Sequence, residues 1–129
     1  MKIAVTSTGP GLDAPVDPRF GRAQYILVVD LESMAVEPIE NPGVQASGGA
    51  GVQTVQMVAA MGAAAVLTGN VGPNAHSALS AAGLKVHVGA AGTVRQAVEA
   101  YLQNELQETT EPSVGSHSRM DQASRRQGR

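Results

Sequence analysis

The chain predicts an α/β domain: a mixed five-stranded sheet with helices on its faces. Three observations carry that prediction. From Gly48 onward, strand-length apolar runs alternate with stretches at helical spacing, with glycine marking the breaks. Ahead of them, a run at 25–31 is apolar on both faces, and after a break at Glu32-Ser33 a second run follows at 34–40, the pattern of a β-hairpin. A length of 129 residues with 43% hydrophobic content suits one core.

The elements follow in order. Residues 2–7 carry β-branched Ile3, Val5 and Thr6 and end in Thr8-Gly9-Pro10-Gly11, so a first strand gives way to a loop that continues to about Phe20. The 25–31 run, hydrophobic throughout, reads as a central strand. Pro38 removes one ladder donor from its hairpin partner and places that partner at a sheet edge. Asn41-Pro42-Gly43 breaks the chain, and the glycine-rich stretch 47–51 leads into a helix over 52–61, where Val52, Val55, Val58 and Ala59 fall at helical spacing and Gly62 closes the helix. A strand at 64–68 precedes the turn Gly69-Asn70-Val71-Gly72. Pro73 then suits the first position of a helix that stops at Gly83. Residues 84–88 alternate, with Lys85 and His87 on the other face from Leu84, Val86 and Val88. Thr93 and Gln96 match a capping box, and Val94, Ala97, Val98, Tyr101 and Leu102 stripe one face of a last helix ending near Leu106. Residues 107–129 offer only Val114, Met120 and Ala123 as apolar side chains, too few to offset the entropy of ordering, and read as a disordered polar tail behind a folded domain of residues 1–106.

Composition excludes several classes of function. Zero cysteines removes a disulfide framework, a thiolate nucleophile and thiolate-held metal centres. Three aromatics and a net charge of −3 over residues 1–106, from five Lys/Arg against eight Asp/Glu, leave neither the electrostatic nor the stacking contribution that nucleic-acid binding uses. No apolar run reaches the roughly 20 residues that cross a bilayer, and the first residues read as a strand, so a cytoplasmic protein without a membrane segment is expected. There is no G-x-S-x-G elbow, no Walker loop and no facing pair of carboxylates, so no catalytic set is expected.

In such sheets ligands sit beyond the carboxyl ends of the parallel strands, here the loops 7–20, 69–74 and 89–93. The segment Val16-Asp17-Pro18-Arg19-Phe20-Gly21-Arg22-Ala23 brings two guanidiniums into that region, where planar donors suit an anion. The alternative is that Arg19 and Arg22 only cover the loop and pair with Asp13 or Asp17. The stretches 47–51 and 68–74 deliver backbone N–H groups at helix starts, which also favour an anion. His76 falls in the first turn of the second helix; alone it is either a capping residue or a weak metal ligand. Asp13, Asp17 and Asp30 would have to gather to hold a divalent ion, yet Asp30 stands near the hairpin turn and the other two near prolines.

Val16-Asp17-Pro18-Arg19-Phe20-Gly21-Arg22, the strand 25–30, Leu67-Thr68-Gly69-Asn70-Val71-Gly72-Pro73-Asn74-Ala75 and Gly83-Leu84-Lys85-Val86-His87 together resemble the dinitrogenase iron-molybdenum cofactor biosynthesis family, of NifX and NifB carboxyl-terminal type, over roughly residues 1–105. The resemblance implies a ribonuclease H-like arrangement without that enzyme's catalytic carboxylates. It also implies a carrier or scaffold, not an enzyme, for an anionic molybdenum-containing metal-sulfur cluster, of molybdenum-copper sulfide or iron-molybdenum type, held noncovalently. Such a cluster brings its own sulfides, so the protein need only match its charge and shape. Arg19, Arg22, the amides around Gly49, Gly51, Gly69, Asn70, Gly72 and Asn74, and His76 as donor or metal ligand are the residues implied. Protein partners in cofactor assembly or a larger complex are implied as well. A reading from another class is a regulatory or assembly module that binds a protein through the sheet edge at Pro38 and carries no metal. A metal-dependent nuclease on the same fold lacks its carboxylates.

Overall fold

Alternating apolar residues build a sheet with a core on each face. The structure, a computed structural model, describes residues 1–40 and 50–109, with Ala50 and Gly51 described by their backbone alone. Strands β1 (Lys2–Ser7), β2 (Tyr25–Asp30) and β3 (Val36–Glu40) are followed by α1 (Ala50–Ala60), β4 (Ala63–Leu67), α2 (Pro73–Ala81), β5 (Lys85–Val88), α3 (Val94–Leu102) and β6 (Gln107–Thr109). The sheet order is β3-β2-β1-β4-β5-β6. β4 pairs in parallel with β1 and β5, while β2 is antiparallel to β1 and β3, and β6 to β5. Pro38 sits opposite Leu27 on β3, which is an edge strand as its missing donor requires.

The pleat sorts the core. Ala4, Ile26, Val66 and Val86 pack on one face with Val55 and Val58 of α1 and Ala75 and Leu79 of α2. Ile3, Val5, Leu27, Val29, Ala65 and Leu67 pack on the other with Val94, Ala97 and Val98 of α3. α3 starts as its sequence directs: the Thr93 hydroxyl accepts from Gln96 N–H and the Gln96 side chain accepts from Thr93 N–H, a complete capping box.

The structure corrects two expectations. The sheet has six strands, because α3 ends at Leu102, Asn104 turns the chain with a positive φ of 60°, and Gln107–Thr109 returns to pair with β5. Residues 107–109 therefore belong to the sheet, and the remainder of the expected tail, 110–129, lies outside the described residues. Second, α1 begins at Ala50, so Gly51 belongs to the helix and not to a loop before it, whereas Gly49 and the rest of the stretch 41–49 lie outside the described residues. The three aspartates stand apart, as their places in the sequence suggest: Asp13 pairs with Arg95 at 3.1 Å, and Asp30 accepts from the Glu32 and Ser33 N–H groups in the hairpin turn.

What positions the ligand end of the sheet is the docking of loop 8–20. Its backbone is tied to both faces: Val16 N–H donates to Gly92 O at 2.8 Å, Val94 N–H to Ala14 O at 2.9 Å, Arg95 N–H to Leu12 O at 2.8 Å, and Asn70 N–H to Pro18 O at 2.7 Å. The last contact is close because residue 69 has no side chain. A Cβ there would stand 2.8 Å from Pro18 Cα and 3.0 Å from its carbonyl oxygen.

On β5, His87 is half-buried beside β6, opposite Glu108 in the β5–β6 ladder, its ring edge-on to Tyr101 with centroids 5.0 Å apart. Its Nδ1 is buried without a described hydrogen-bond partner. Burial holds its pKa below the ordinary imidazole value, Glu108 works against that shift and Lys85 adds to it.

Two predictions follow from this packing. Gly69→Ala drives a methyl group into the Pro18 backbone and lowers stability by about 1–3 kcal/mol, read as a lower urea midpoint at unchanged slope. For His87, the folded-state pKa lies below the unfolded one, so its contribution is full above the unfolded value near about 6.5 and is lost as pH falls from there through the lower folded value. The stability difference between the wild type and His87→Phe should therefore shift against the wild type between about pH 7.5 and about pH 5.5 in denaturant titrations; a difference independent of pH would show that the imidazole is not the group responsible.

Candidate functional site

The carboxyl ends of β1 and β4 lie side by side, and two loops leave them. One is 8–20, the other the turn from Thr68 to Gly72. Asp17 belongs to the first and is 5% exposed. Its N–H donates to Thr6 O at 3.0 Å and its carbonyl accepts from the Thr6 hydroxyl at 2.6 Å, so one residue of β1 holds both sides of the Asp17 residue. Asp17 Oδ1 in turn accepts from Arg19 N–H at 2.9 Å and lies 3.6 Å from Arg19 Nε. Arg19 and Asn70 form a parallel bridge, which sets the arginine beside the turn before α2.

Arg19 makes the pairing with Asp17 that the sequence offered as the alternative to anion binding. It pairs with Asp17, yet its side chain remains 64% exposed, with the carboxylate engaged only from the Nε side. An exposed pair of this kind adds little stability, so its consequence is orientation. Arg22 is exposed, two residues beyond the buried Phe20, and lies outside the Arg19–Asn70 bridge.

α2 begins with Gly72 in extended backbone (φ −85°, ψ 175°), and no cap side chain bonds to its first turn. Pro73 at the first helical position has no N–H, and the helical ladder starts with His76 N–H donating to Gly72 O at 2.9 Å. The N–H groups of Asn74 and Ala75 therefore form the open, positive end of the helix. Asn70 and Asn74 are exposed there, and Gly69 and Gly72 are half-buried. His76 is buried, at 9% exposure, one turn in and not at the exposed lip of the site. Among the described residues no three His, Asp or Glu side chains are grouped to hold a metal ion, so His76 has no described set of co-ligands.

The sequence reading missed the two threonines beneath this region. Thr6 and Thr68 are both fully buried, and their hydroxyl oxygens are 3.0 Å apart. The available signal was that the first and fourth strands both run into polar turns through a threonine, at Thr6-Ser7 and Thr68-Gly69. Chemically, the arrangement offers guanidinium and amide donors and no nucleophile paired with a base, the donor set of an anion site.

Comparison with known proteins agrees with this architecture. In structure the chain is similar to the apo form of the orange protein from Desulfovibrio gigas, with 49% identity, a TM-score of 0.82, and coverage of 86% of this chain and 94% of that one. It is also similar to a NifB-like protein from Thermotoga, with 36% identity, a TM-score of 0.76, and coverage of 92% and 97%. An uncharacterised protein of Methanocaldococcus jannaschii is 27% identical over 110 residues, spanning 83% of this chain and 90% of the relative. The family model described as dinitrogenase iron-molybdenum cofactor matches residues 1–104, and the chain belongs to that family.

Proposed function

We propose that this protein binds and carries an anionic, molybdenum-containing metal-sulfur cluster, held noncovalently at the rim over the carboxyl ends of β1 and β4, and catalyses no reaction on it. The observation that carries this reading is the uncapped start of α2 beside the exposed, tethered guanidinium of Arg19. A cluster with its own bridging sulfides needs hydrogen-bond donors and positive potential more than ligating side chains, and this rim offers those. Membership of the iron-molybdenum cofactor family supports molybdenum as the metal, and in this reading copper or iron completes the cluster.

In this reading Arg19 and the backbone of Gly69, Asn70, Gly72 and Asn74 form the fixed part of the rim. Arg22 adds a second cation from the same loop, the amide of Gly51 contributes from the first turn of α1, and His76 acts as a donor behind the helix start; Gly49, implied by the resemblance, lies outside the described residues. The strand order from β3 to β5, with β2 antiparallel, supports a ribonuclease H-like classification of the fold. Residues 1–106 carry a net charge of −3, so attraction is local and no long-range field gathers the anion. Short-range contacts that are made and released suit cargo handed to protein partners of cofactor assembly. No helix among the described residues is long and apolar enough to cross a membrane.

Anaerobic reconstitution with molybdate, copper and sulfide followed by desalting and elemental analysis tests the reading. The wild type should retain molybdenum with a visible chromophore, and the double variant Arg19→Ala/Arg22→Ala should retain about tenfold less at an unchanged circular dichroism spectrum. Equal retention by the double variant would return both arginines to loop packing. A wild type that binds no molybdenum sinks the carrier reading.

A further inference from the structure

We infer that Thr6 and Thr68 are positioning residues for the anion rim: their buried hydroxyl pair fixes Arg19 by way of Asp17. The inference deepens the carrier reading and rests on it for its consequence in binding, though not for its geometry. A threonine inside a strand end packs like valine, and its hydroxyl costs stability unless it is bonded. Here both hydroxyls are fully buried and bonded to each other, and that of Thr6 reaches the Asp17 carbonyl in the loop that carries Arg19.

Proton counting gives the pair a direction. The Asp17 carbonyl, 2.6 Å from Thr6 Oγ1, can only accept, so the Thr6 proton goes there. The Thr6 oxygen is then free to accept from Thr68, whose oxygen is 3.0 Å away, while the other acceptor near Thr68, the Asn70 carbonyl, stands farther off at 3.4 Å. The relay runs from Thr68 to Thr6 to the Asp17 carbonyl, and each bond polarises the next. From Asp17 the carboxylate continues to the N–H and Nε of Arg19. A hydroxyl lost at either threonine therefore shifts the residue that aims the guanidinium. It shifts it more at Thr6, where a buried carbonyl also loses its side-chain donor.

Valine and serine variants of the full chain separate this role from packing. Valine keeps the shape and removes the hydroxyl; serine keeps the hydroxyl and removes a methyl group. Without ligand, the Arg19 Nε–H signal in nitrogen-15 spectra should move in Thr6→Val and Thr68→Val and stay near its wild-type position in Thr6→Ser and Thr68→Ser. With tetrathiomolybdate as probe, affinity should fall about threefold to tenfold in Thr6→Val, less in Thr68→Val, and remain close to wild type in both serine variants. An Arg19 Nε–H signal unmoved by valine, or serine variants as weak as the valine ones, overturns the positioning role. If Thr6→Val does not fold, Thr68→Val, which leaves the Asp17 carbonyl bonded, carries the same comparison. Arg19→Ala is the separate arm: wild-type affinity for tetrathiomolybdate in that variant sinks the rim itself, while the ligand-free Arg19 signal still decides the relay.

Discussion

The arrangement depends above all on the docking of residues 16–20 onto the ends of β1 and β4. Two features make it possible: the bare backbone of Gly69, which admits Pro18, and the grip of Thr6 on both the N–H and the carbonyl of Asp17. Without that docking each core would lose a member, since Phe20 packs with Ala4, Ile26 and Val66, and Val16 with Ile3, Val5 and Leu67. The juxtaposition of Arg19 with the start of α2 would go with them. Stability and site geometry therefore meet in this one loop, whose apolar residues complete both cores while its polar contacts aim the guanidinium.

Those polar contacts bear on how a mildly acidic domain would present the proposed anion site. The carboxylate nearest the rim, Asp17, is turned inward and engaged by Arg19, whose side chain remains mostly exposed. Asp13, the other acidic residue in the loop, is paired away with Arg95 on α3. Local donors then outweigh the net charge at short range, where hydrogen-bond geometry counts for more than the sum of distant charges.

Much of the fold was legible in the sequence because its punctuation is local. Pro38 marked an edge, Gly62 and Gly83 closed helices, and Thr93 with Gln96 announced a capping box, each a signal contained within a few residues. β6 escaped because Gln-Glu-Thr has no strand signature; it is a strand only because β5 offers an open edge for it to pair with. The site was legible by residue type and not by connection. Arg19 and the 69–74 turn stood out as donors, but the hydroxyl bond that underlies them joins residues 62 positions apart, which no local pattern encodes. His76 looked like a rim residue from its place in the first helical turn, whereas the packing of α2 onto the sheet buries it.

The backbone ties of loop 8–20 also bear on when the rim comes into being. Its anchors are Asn70, Gly92, Val94 and Arg95, far along the chain from Leu12, Ala14, Val16 and Pro18. Contacts of such sequence separation form only after the intervening loops have closed. During synthesis, the arginine loop leaves the ribosome early with only its ties to Thr6 and Thr8, and must wait about fifty more residues for Asn70 and some seventy for Gly92, Val94 and Arg95. The proposed rim, built this way, needs the chain through α3, and a nascent or truncated chain that ends before α3 would present the guanidiniums without the full frame that aims them.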